Sequence, residues 1–289
     1  MKFKELFYMF GLKPKVKSFG FDIVDIGFGD NQTCQWALWK NPKCKDTLPR
    51  TKDYPVLKLF LKSGDFAIDI GANIGDTSLC MGLCVGSQGL VLALEPNPKT
   101  YAILKANTKL NQDMTNIVPV NRAAMDYDGN YVFHYNEPSL MNGGFQQGIS
   151  RFKHASFFKV DVIGVNLYQL LMRDFKDQLS NLKFIKTDLE GSDYRVFLTI
   201  QNIVKQYMPV IQSEINGVMS KTIRNNYIKN LKSLNYYVFS LRSEILESIQ
   251  ELTQEMIDSD ETFDIFAIPP ALIKNFKESE MDFFKGTTI

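Results

Sequence analysis

Apolar and polar positions along residues 51–270 recur with two different periods, which predicts strands and helices in alternation. Short apolar runs, typical of buried strands, occupy 66–70, 90–94, 117–120, 183–188, 210–215, 236–241 and 263–268. Apolar positions with helical spacing occupy 56–61, 75–85, 98–110 and 221–234, and a further helix is expected to begin near residue 192. Strands separated by helices predict a doubly wound α/β fold with a mostly parallel sheet and right-handed crossovers.

Residues 126–165 depart from this rhythm. A turn at 127–130 leads into the alternating segment 131–135, and a second strand-like segment follows at 157–162. The glycine pair Gly143 and Gly144 lies between them. This pattern predicts an inserted β-hairpin with a long loop.

The first 50 residues show no clear period. Glycine, asparagine and proline interrupt an aromatic cluster that includes Trp36 and Trp39, so we assign no element there. We expect an N-terminal extension over 1–50 that packs across one edge of the sheet, with a lid over the site as the alternative. The main domain is then 51–270 and the C-terminal tail 271–289. Lysines interleaved with apolar residues in the first 17 positions leave a membrane-surface helix open as an alternative to a docking segment.

Composition narrows the class of protein. Hydrophobic residues make up 45% and charged residues 22% of the 289-residue chain, which is ordinary for a globular protein. A net charge of +1 offers no basic field, so we expect no nucleic-acid partner. No apolar run is long enough for a transmembrane segment and no signal peptide is evident, so we expect a soluble, cytoplasmic protein, and we leave homo-oligomerisation open.

Cysteine spacing gives no metal-binding motif. Cys34, Cys44, Cys80 and Cys84 contain no C-x-x-C pair, so we interpret them as small buried apolar residues, with zinc binding as the alternative.

The strongest chemical signal is a glycine turn between a strand and a helix. It covers residues 69–77, with the sequence Asp-Ile-Gly-Ala-Asn-Ile-Gly-Asp-Thr. Gly71 and Gly75 permit a tight turn and close approach of a ligand, which binds outside the carboxyl ends of the strands in such sheets. The order lacks the three glycines of a dinucleotide site, which counts against a nicotinamide oxidoreductase. Asp69 instead suits a cofactor with a cationic amine.

Glu95 gives a second signal, because it ends the following strand. A carboxylate there can accept hydrogen bonds from both hydroxyls of a ribose. The alternative is that it only favours the start of the next helix after Pro96.

These residues resemble the FkbM-type methyltransferases, a family within the class I S-adenosylmethionine-dependent fold. The resemblance spans about 64–241, with 263–268 as the closing strand. Its matching segments are 68–75 with Thr77, 94–98 with Leu104 and Asn107, 185–191, and the strand that contains Glu214.

The resemblance implies a Rossmann-like sheet of seven strands with an antiparallel last strand. It implies S-adenosylmethionine as cofactor, with Glu95 at the ribose and Ala123 or Ala124 near the adenine. It also implies that six residues surround the methionine part: Asp69, Gly71, Ala72, Asn73, Gly75 and Thr77. The implied reaction is O-methylation of a small molecule or sugar, within a glycan or natural product. A non-catalytic cofactor- or glycan-binding module is the alternative, and methylation of nucleic acid fits the charge poorly.

Three carboxylates are expected near the transferred methyl group. Asp188 and Glu190 point the same way along an extended segment, and Glu214 ends the next strand. Like charges this close require a compensating cation, a lysine, or protonation of one carboxyl. Asp188, Glu190 and Glu214 are therefore candidate ligands of Mg²⁺ or Mn²⁺, although Glu190 could instead favour a helix start.

A general base would assist the transfer. Asp188 is the first candidate and Glu214 the second. His134 and His154, in or beside the insertion, are further candidates for the acceptor site, although an ordinary surface or hydrogen-bonded position is the preferred interpretation of each.

Overall fold

A computed structural model describes residues 15–28, 32–135, 143–144, 158–241, 249–274 and 276. Its main sheet has eight strands in the order β13-β12-β14-β11-β10-β3-β4-β5. From one edge to the other these are β13 (Ile249–Glu251), β12 (Tyr237–Leu241), β14 (Phe263–Ile268), β11 (Val210–Ile215), β10 (Leu182–Thr187), β3 (Phe66–Ile70), β4 (Leu90–Leu94) and β5 (Ile117–Val120). The five strands from β11 to β5 are parallel, and β14 is antiparallel to both of its neighbours.

The sheet is buried on both faces, and every residue of β3 and β4 is buried. One face packs against α4 (Leu167–Asp174), α5 (Asp193–Tyr207) and α6 (Lys221–Ser233). The other packs against α1 (Tyr54–Phe60), α2 (Asp76–Val85) and α3 (Pro98–Leu110). A sheet covered on both sides explains why its strands are continuous apolar runs. The doubly wound fold is confirmed.

Local sequence explains where the helices begin. Asn97 caps α3 by accepting a hydrogen bond from the Lys99 backbone N–H at 3.0 Å, and Pro98 occupies the first turn. Ser220 caps α6 in the same way through the N–H of Ile223. Asn97 follows the end of β4 and Ser220 ends the loop after β11, so both helices start on the side of the sheet where ligands bind in this architecture.

The inserted hairpin is present and belongs to a separate sheet. Strand β7 (Gly129–Tyr135) pairs antiparallel with β9 (Phe158–Asn166). The short strands β6 (Ala123–Met125) and β8 (Gly143–Gly144) complete the order β6-β9-β7-β8. Most of the predicted loop between β7 and β9 lies outside the described residues.

The N-terminal extension contains regular structure that periodicity did not predict. Strands β1 (Phe21–Phe28) and β2 (Gln32–Trp39) form an antiparallel pair. Trp36 is fully buried against the helices of the second face, and its indole N–H donates to the Thr47 carbonyl at 3.0 Å. Burial by distant helices, rather than a local period, fixes these strands. The basic segment 1–14 lies outside the described residues.

Two asparagines on α3 attach β2 to the domain. The Asn107 side chain accepts from the Ala37 backbone N–H at 2.6 Å and donates to the Ile74 carbonyl at 2.8 Å. Asn111 accepts from the N–H of Gln35 at 3.1 Å and donates to its carbonyl at 2.8 Å. Asn107 therefore connects the N-terminal strand directly to the glycine turn.

Other elements add detail to the sequence-based picture. The eighth strand, β13, lies at the sheet edge beyond the seven predicted strands, and a short helix α7 (Gln254–Asp258) follows it. Cys34, Cys44 and Cys80 are buried, and Cys84 is half-buried. Among the described residues, no helix is long and apolar enough to span a bilayer.

Replacing Asn107 by aspartate tests this connection. The Asn107→Asp side chain keeps the shape but cannot donate to the Ile74 carbonyl, so we expect the free energy of unfolding to fall by about 2 kcal/mol. Urea denaturation measures this. The matched change Asn202→Asp, on the exposed side of α5, should leave the midpoint nearly unchanged; equal losses in both variants would contradict the role given to Asn107.

Candidate active site

The glycine turn follows β3 at the carboxyl edge of the sheet. The backbone N–H groups of Gly71 and Ala72 both donate to the Leu94 carbonyl, at 3.0 and 2.9 Å. Gly71, Asn73 and Gly75 adopt φ values of 80°, 50° and 94°. Gly75 in this left-handed conformation precedes the first residue of α2. The turn is thus a fixed loop whose backbone is joined to the end of β4.

Gly71 is needed for a close backbone approach as well as for its dihedral angle. A Cβ atom on Gly71 would lie 2.1 Å from the carbonyl oxygen of Asp188. The Asp188 N–H in turn donates to the Ile70 carbonyl at 3.0 Å. The first candidate base is therefore held next to the turn by backbone contacts.

Glu95 connects the turn to the start of α3. One carboxylate oxygen accepts from the Asn73 N–H at 3.0 Å, and the other accepts from the Asn97 N–H at 2.8 Å. Each oxygen keeps a second lone pair for a ligand hydroxyl. Burial raises the pKa of Glu95 to about 8, although the two N–H groups oppose this shift. Glu95 therefore shapes the site whether or not it also contacts a ribose.

Asp69 lies fully buried beneath the turn. One oxygen accepts from the Ser78 hydroxyl at 2.5 Å, and the other lies 3.8 Å from the Lys186 ammonium without a hydrogen-bond donor. Such an acceptor fits a cofactor that brings an amine.

Lys186 is a site residue that sequence reasoning missed. It is buried on β10 directly opposite Asp69 in the register and also lies 3.5 Å from the Asp188 carboxylate. Burial opposes its charge, but Asp188, Asp69 and Asp76 together raise its pKa above the ordinary value. A lysine within an otherwise apolar strand was the signal that could have identified it.

The remaining predicted carboxylates meet at one asparagine. The Asn216 amide donates to Glu214 at 2.9 Å and to Glu190 at 3.3 Å. Burial, and next the negative charge of Asp188, raise the pKa of Glu214 to about 8. Among the described residues, no group of three or more histidine, cysteine or acidic side chains is arranged to hold a metal ion. The predicted Mg²⁺ or Mn²⁺ site therefore has no support, and the Asn216 amide joins the two glutamates instead.

The structure also describes three other predicted residues, Thr77, Ala124 and His134, and shows no ligand-specific geometry at them. Thr77 is buried in the first turn of α2, and Ala124 is buried in β6 within the apolar core. His134 is half-buried on β7 opposite Lys159. His154 lies outside the described residues. Contacts of Thr77 and Ala124 with a cofactor remain predictions.

Arg224 was also missed, and it positions Asn216. Its fully buried guanidinium donates to the carbonyls of Asn216, Ser259 and Glu261 at 3.0, 2.7 and 2.9 Å. It thereby joins the loop after β11 to the loop before β14. A buried arginine on α6 gives no local sequence signal, because its partners are backbone carbonyls distant in the chain.

Comparison with known proteins identifies one family. The model of the methyltransferase FkbM domain matches residues 69–260. No curated protein matches the chain. Among solved structures, a methyltransferase FkbM from Methylobacillus flagellatus is 12% identical with a TM-score of 0.41, covering 71% of this chain and 43% of that one. Fibrillarin from Aeropyrum pernix with bound S-adenosyl-L-methionine is 10% identical with a TM-score of 0.41, covering 88% and 99%. With identities and TM-scores this low, the substrates and sites of these two proteins are not transferred to this chain.

Removing the Arg224 side-chain charge tests its role as a connector. Arg224→Met leaves three carbonyls without their donor, so we expect the free energy of unfolding to fall by about 3 kcal/mol. Guanidinium denaturation measures the loss. Arg173, exposed and paired with Asp174 at 2.9 Å, offers the control Arg173→Met, which should not shift the midpoint. An unchanged midpoint for Arg224→Met would show that the two loops are held by other contacts.

Proposed function

Because the chain belongs to the methyltransferase FkbM domain family, we propose that it binds S-adenosylmethionine at the glycine turn and methylates a hydroxyl group of a small molecule or sugar. The chain spans less than half the length of the Methylobacillus flagellatus protein, so the proposal concerns the activity of this domain. The observation that carries it is the contact between Gly71 and the Asp188 carbonyl, because that contact holds a candidate base beside the turn.

The residues present fit this cofactor at two separate points. Asp69 offers a buried carboxylate oxygen that lacks a donor, which suits the ammonium of the methionine part. Glu95 offers the free lone pairs of a buried carboxylate, which suit the ribose hydroxyls. Gly71, Ala72, Asn73 and Gly75 form the loop after Asp69, and Thr77 follows in the first turn of α2. Ala124 is assigned to the adenine side by family resemblance.

The bound cofactor supplies a methyl group on a positively charged sulfur. The chain holds the acceptor oxygen close and aligned, which can contribute on the order of 7–11 kcal/mol. Asp188, whose side chain is 48% exposed, accepts the hydroxyl proton. Glu214 is the weaker candidate at neutral pH, because a pKa of about 8 leaves it largely protonated.

Calorimetry with S-adenosylhomocysteine tests the cofactor site. We expect micromolar binding by the intact chain, and at least a hundredfold weaker binding by Asp69→Ala and by Glu95→Ala. The change Asp65→Ala, in the loop before β3, is the control because it leaves the turn intact. Retained micromolar binding in both site variants would refute the assignment, and failure of the intact chain to bind would refute the function.

The protonation of Glu95 gives a second test. Hydroxyl donors favour the carboxylate form, so binding should lower the pKa of Glu95 from about 8 and release a proton at neutral pH. Affinity should therefore increase as the pH rises from 6 towards 8 and level off above. Titrations in buffers of different ionisation enthalpy measure the released proton. Glu95→Gln should bind more weakly without this linkage; a pH-independent affinity of the unaltered chain would contradict contact between Glu95 and the cofactor.

A further inference from the structure

Three neighbouring strands present acidic side chains side by side beyond the cofactor turn. Glu214 on β11 lies opposite Asp264 on β14 in the antiparallel register. Lys186 on β10 lies opposite Gln212 on β11, and Asp188 follows two residues after Lys186. Residues two apart in an extended segment share a face of the sheet. Asp188, Glu214 and Asp264 therefore line one edge of the same face.

Gln212 lies buried beside these carboxylates and lacks a donor. It is 1% exposed, and its amide N–H donates to Asp264 at 3.1 Å. Its amide oxygen is buried and has no hydrogen-bond partner. A buried amide oxygen without a donor is costly, so it points to a ligand that supplies an N–H or O–H group.

Positive charge near these acids is already paired. Lys186 contacts Asp69 and Asp188, and Arg50 contacts Asp53 at 2.9 Å. Within the described residues, Glu214 and Asp264 form no ion pair. Burial raises the pKa of both carboxyls. The negative charge of Asp188 is the next cause at Glu214, whereas at Asp264 the Gln212 hydrogen bond and the charge of Lys186 oppose the rise and Asp188 adds to it. A bound cation would relieve this repulsion.

We infer that the acceptor carries a protonated amine that binds to Glu214, Asp264 and the Gln212 amide oxygen, with the hydroxyl to be methylated beside Asp188. The inference rests on the proposed methyltransferase function and specifies the acceptor as an amino sugar or an amino alcohol. An ammonium group has three N–H donors and a positive charge, which matches one amide oxygen and two carboxylates.

The chemistry assigns separate roles to the two groups of the acceptor. A protonated amine has no lone pair, so it binds without being methylated. The hydroxyl oxygen forms the new bond to the methyl carbon. The carbon–sulfur bond breaks and its electron pair stays on sulfur, while the hydroxyl proton passes to Asp188. A positive charge also lowers the pKa of Glu214 and Asp264 and so favours their carboxylate forms, whereas a neutral sugar supplies hydroxyl donors without this effect.

Matched acceptor pairs test the inference. Amino sugars and amino alcohols are compared with the parent compounds that carry a hydroxyl in place of the amine, namely glucosamine with glucose, galactosamine with galactose, and 2-aminoethanol with ethylene glycol. Transfer from methyl-deuterated S-adenosylmethionine is followed by mass spectrometry at pH 7. We expect kcat/KM to be at least tenfold higher for the amine member of a pair. Equal or faster methylation of the neutral member would overturn the inference, as would no amine being methylated by a chain that binds S-adenosylhomocysteine.

A variant that removes the charge of Asp264 tests the assignment, and a variant of an exposed aspartate is its control. Asp264→Asn can still accept from Gln212, so we expect it to reduce the amine preference about tenfold through KM while S-adenosylhomocysteine binding stays unchanged. Asp161→Asn, on the exposed face of β9, should leave the preference intact. An unchanged preference in Asp264→Asn would overturn the assignment.

A metal control separates the inference from the competing cation. Binding of Mg²⁺ or Mn²⁺ alone, lost in Asp264→Asn and accompanied by faster methylation of neutral acceptors, would assign the cluster to a divalent ion and overturn the inference. If the intact chain does not bind S-adenosylhomocysteine, the cofactor site and the proposed function as a whole are refuted instead.

Discussion

The contact between Gly71 and the Asp188 carbonyl determines how close β3 and β10 come at their carboxyl ends. Any side chain at position 71 would collide with backbone, which cannot move aside as a flexible side chain does. The same approach allows the Asp188 N–H to reach the Ile70 carbonyl and places Lys186 opposite Asp69. The turn and the acidic cluster are thus two parts of one backbone arrangement.

Seven strands of the main sheet could be predicted because burial on both faces favours apolar runs. The short edge strand β13 could not, because its residues are only partly buried or exposed. The hairpin of β1 and β2 could not, since Trp36 is buried by helices far along the chain rather than by a local period. The glycine turn and Glu95 were recognisable because each ends a strand with a residue type that ligands require. Gln212 and Arg224 were not, because their partners are brought together only by the register of the sheet and by loops distant in sequence. Lys186 left the weaker signal of a lysine within an apolar strand, but its partner Asp69 is set by the register.

Charge in the candidate site is balanced unevenly. Lys186 compensates Asp69 and Asp188, whereas Glu190 and Glu214 share only the dipole of one amide group on Asn216. The Asn216 loop is itself held by Arg224, whose charge is directed at carbonyls and not at a carboxylate. The buried arginine therefore fixes the position of two loops and does not neutralise a carboxylate. The acids near β11 remain available to a positively charged partner.

The hydrogen bonds of Asn107 have a consequence for the order in which the chain can fold. Strand β2 leaves the ribosome long before α3, since Ala37 and Asn107 are 70 positions apart. At 5–20 residues per second, the strand waits roughly 4–14 s for the asparagine that anchors it. Until then α1 and α2 can cover its tryptophans, but the backbone of β2 lacks the side-chain hydrogen bonds that hold it to α3.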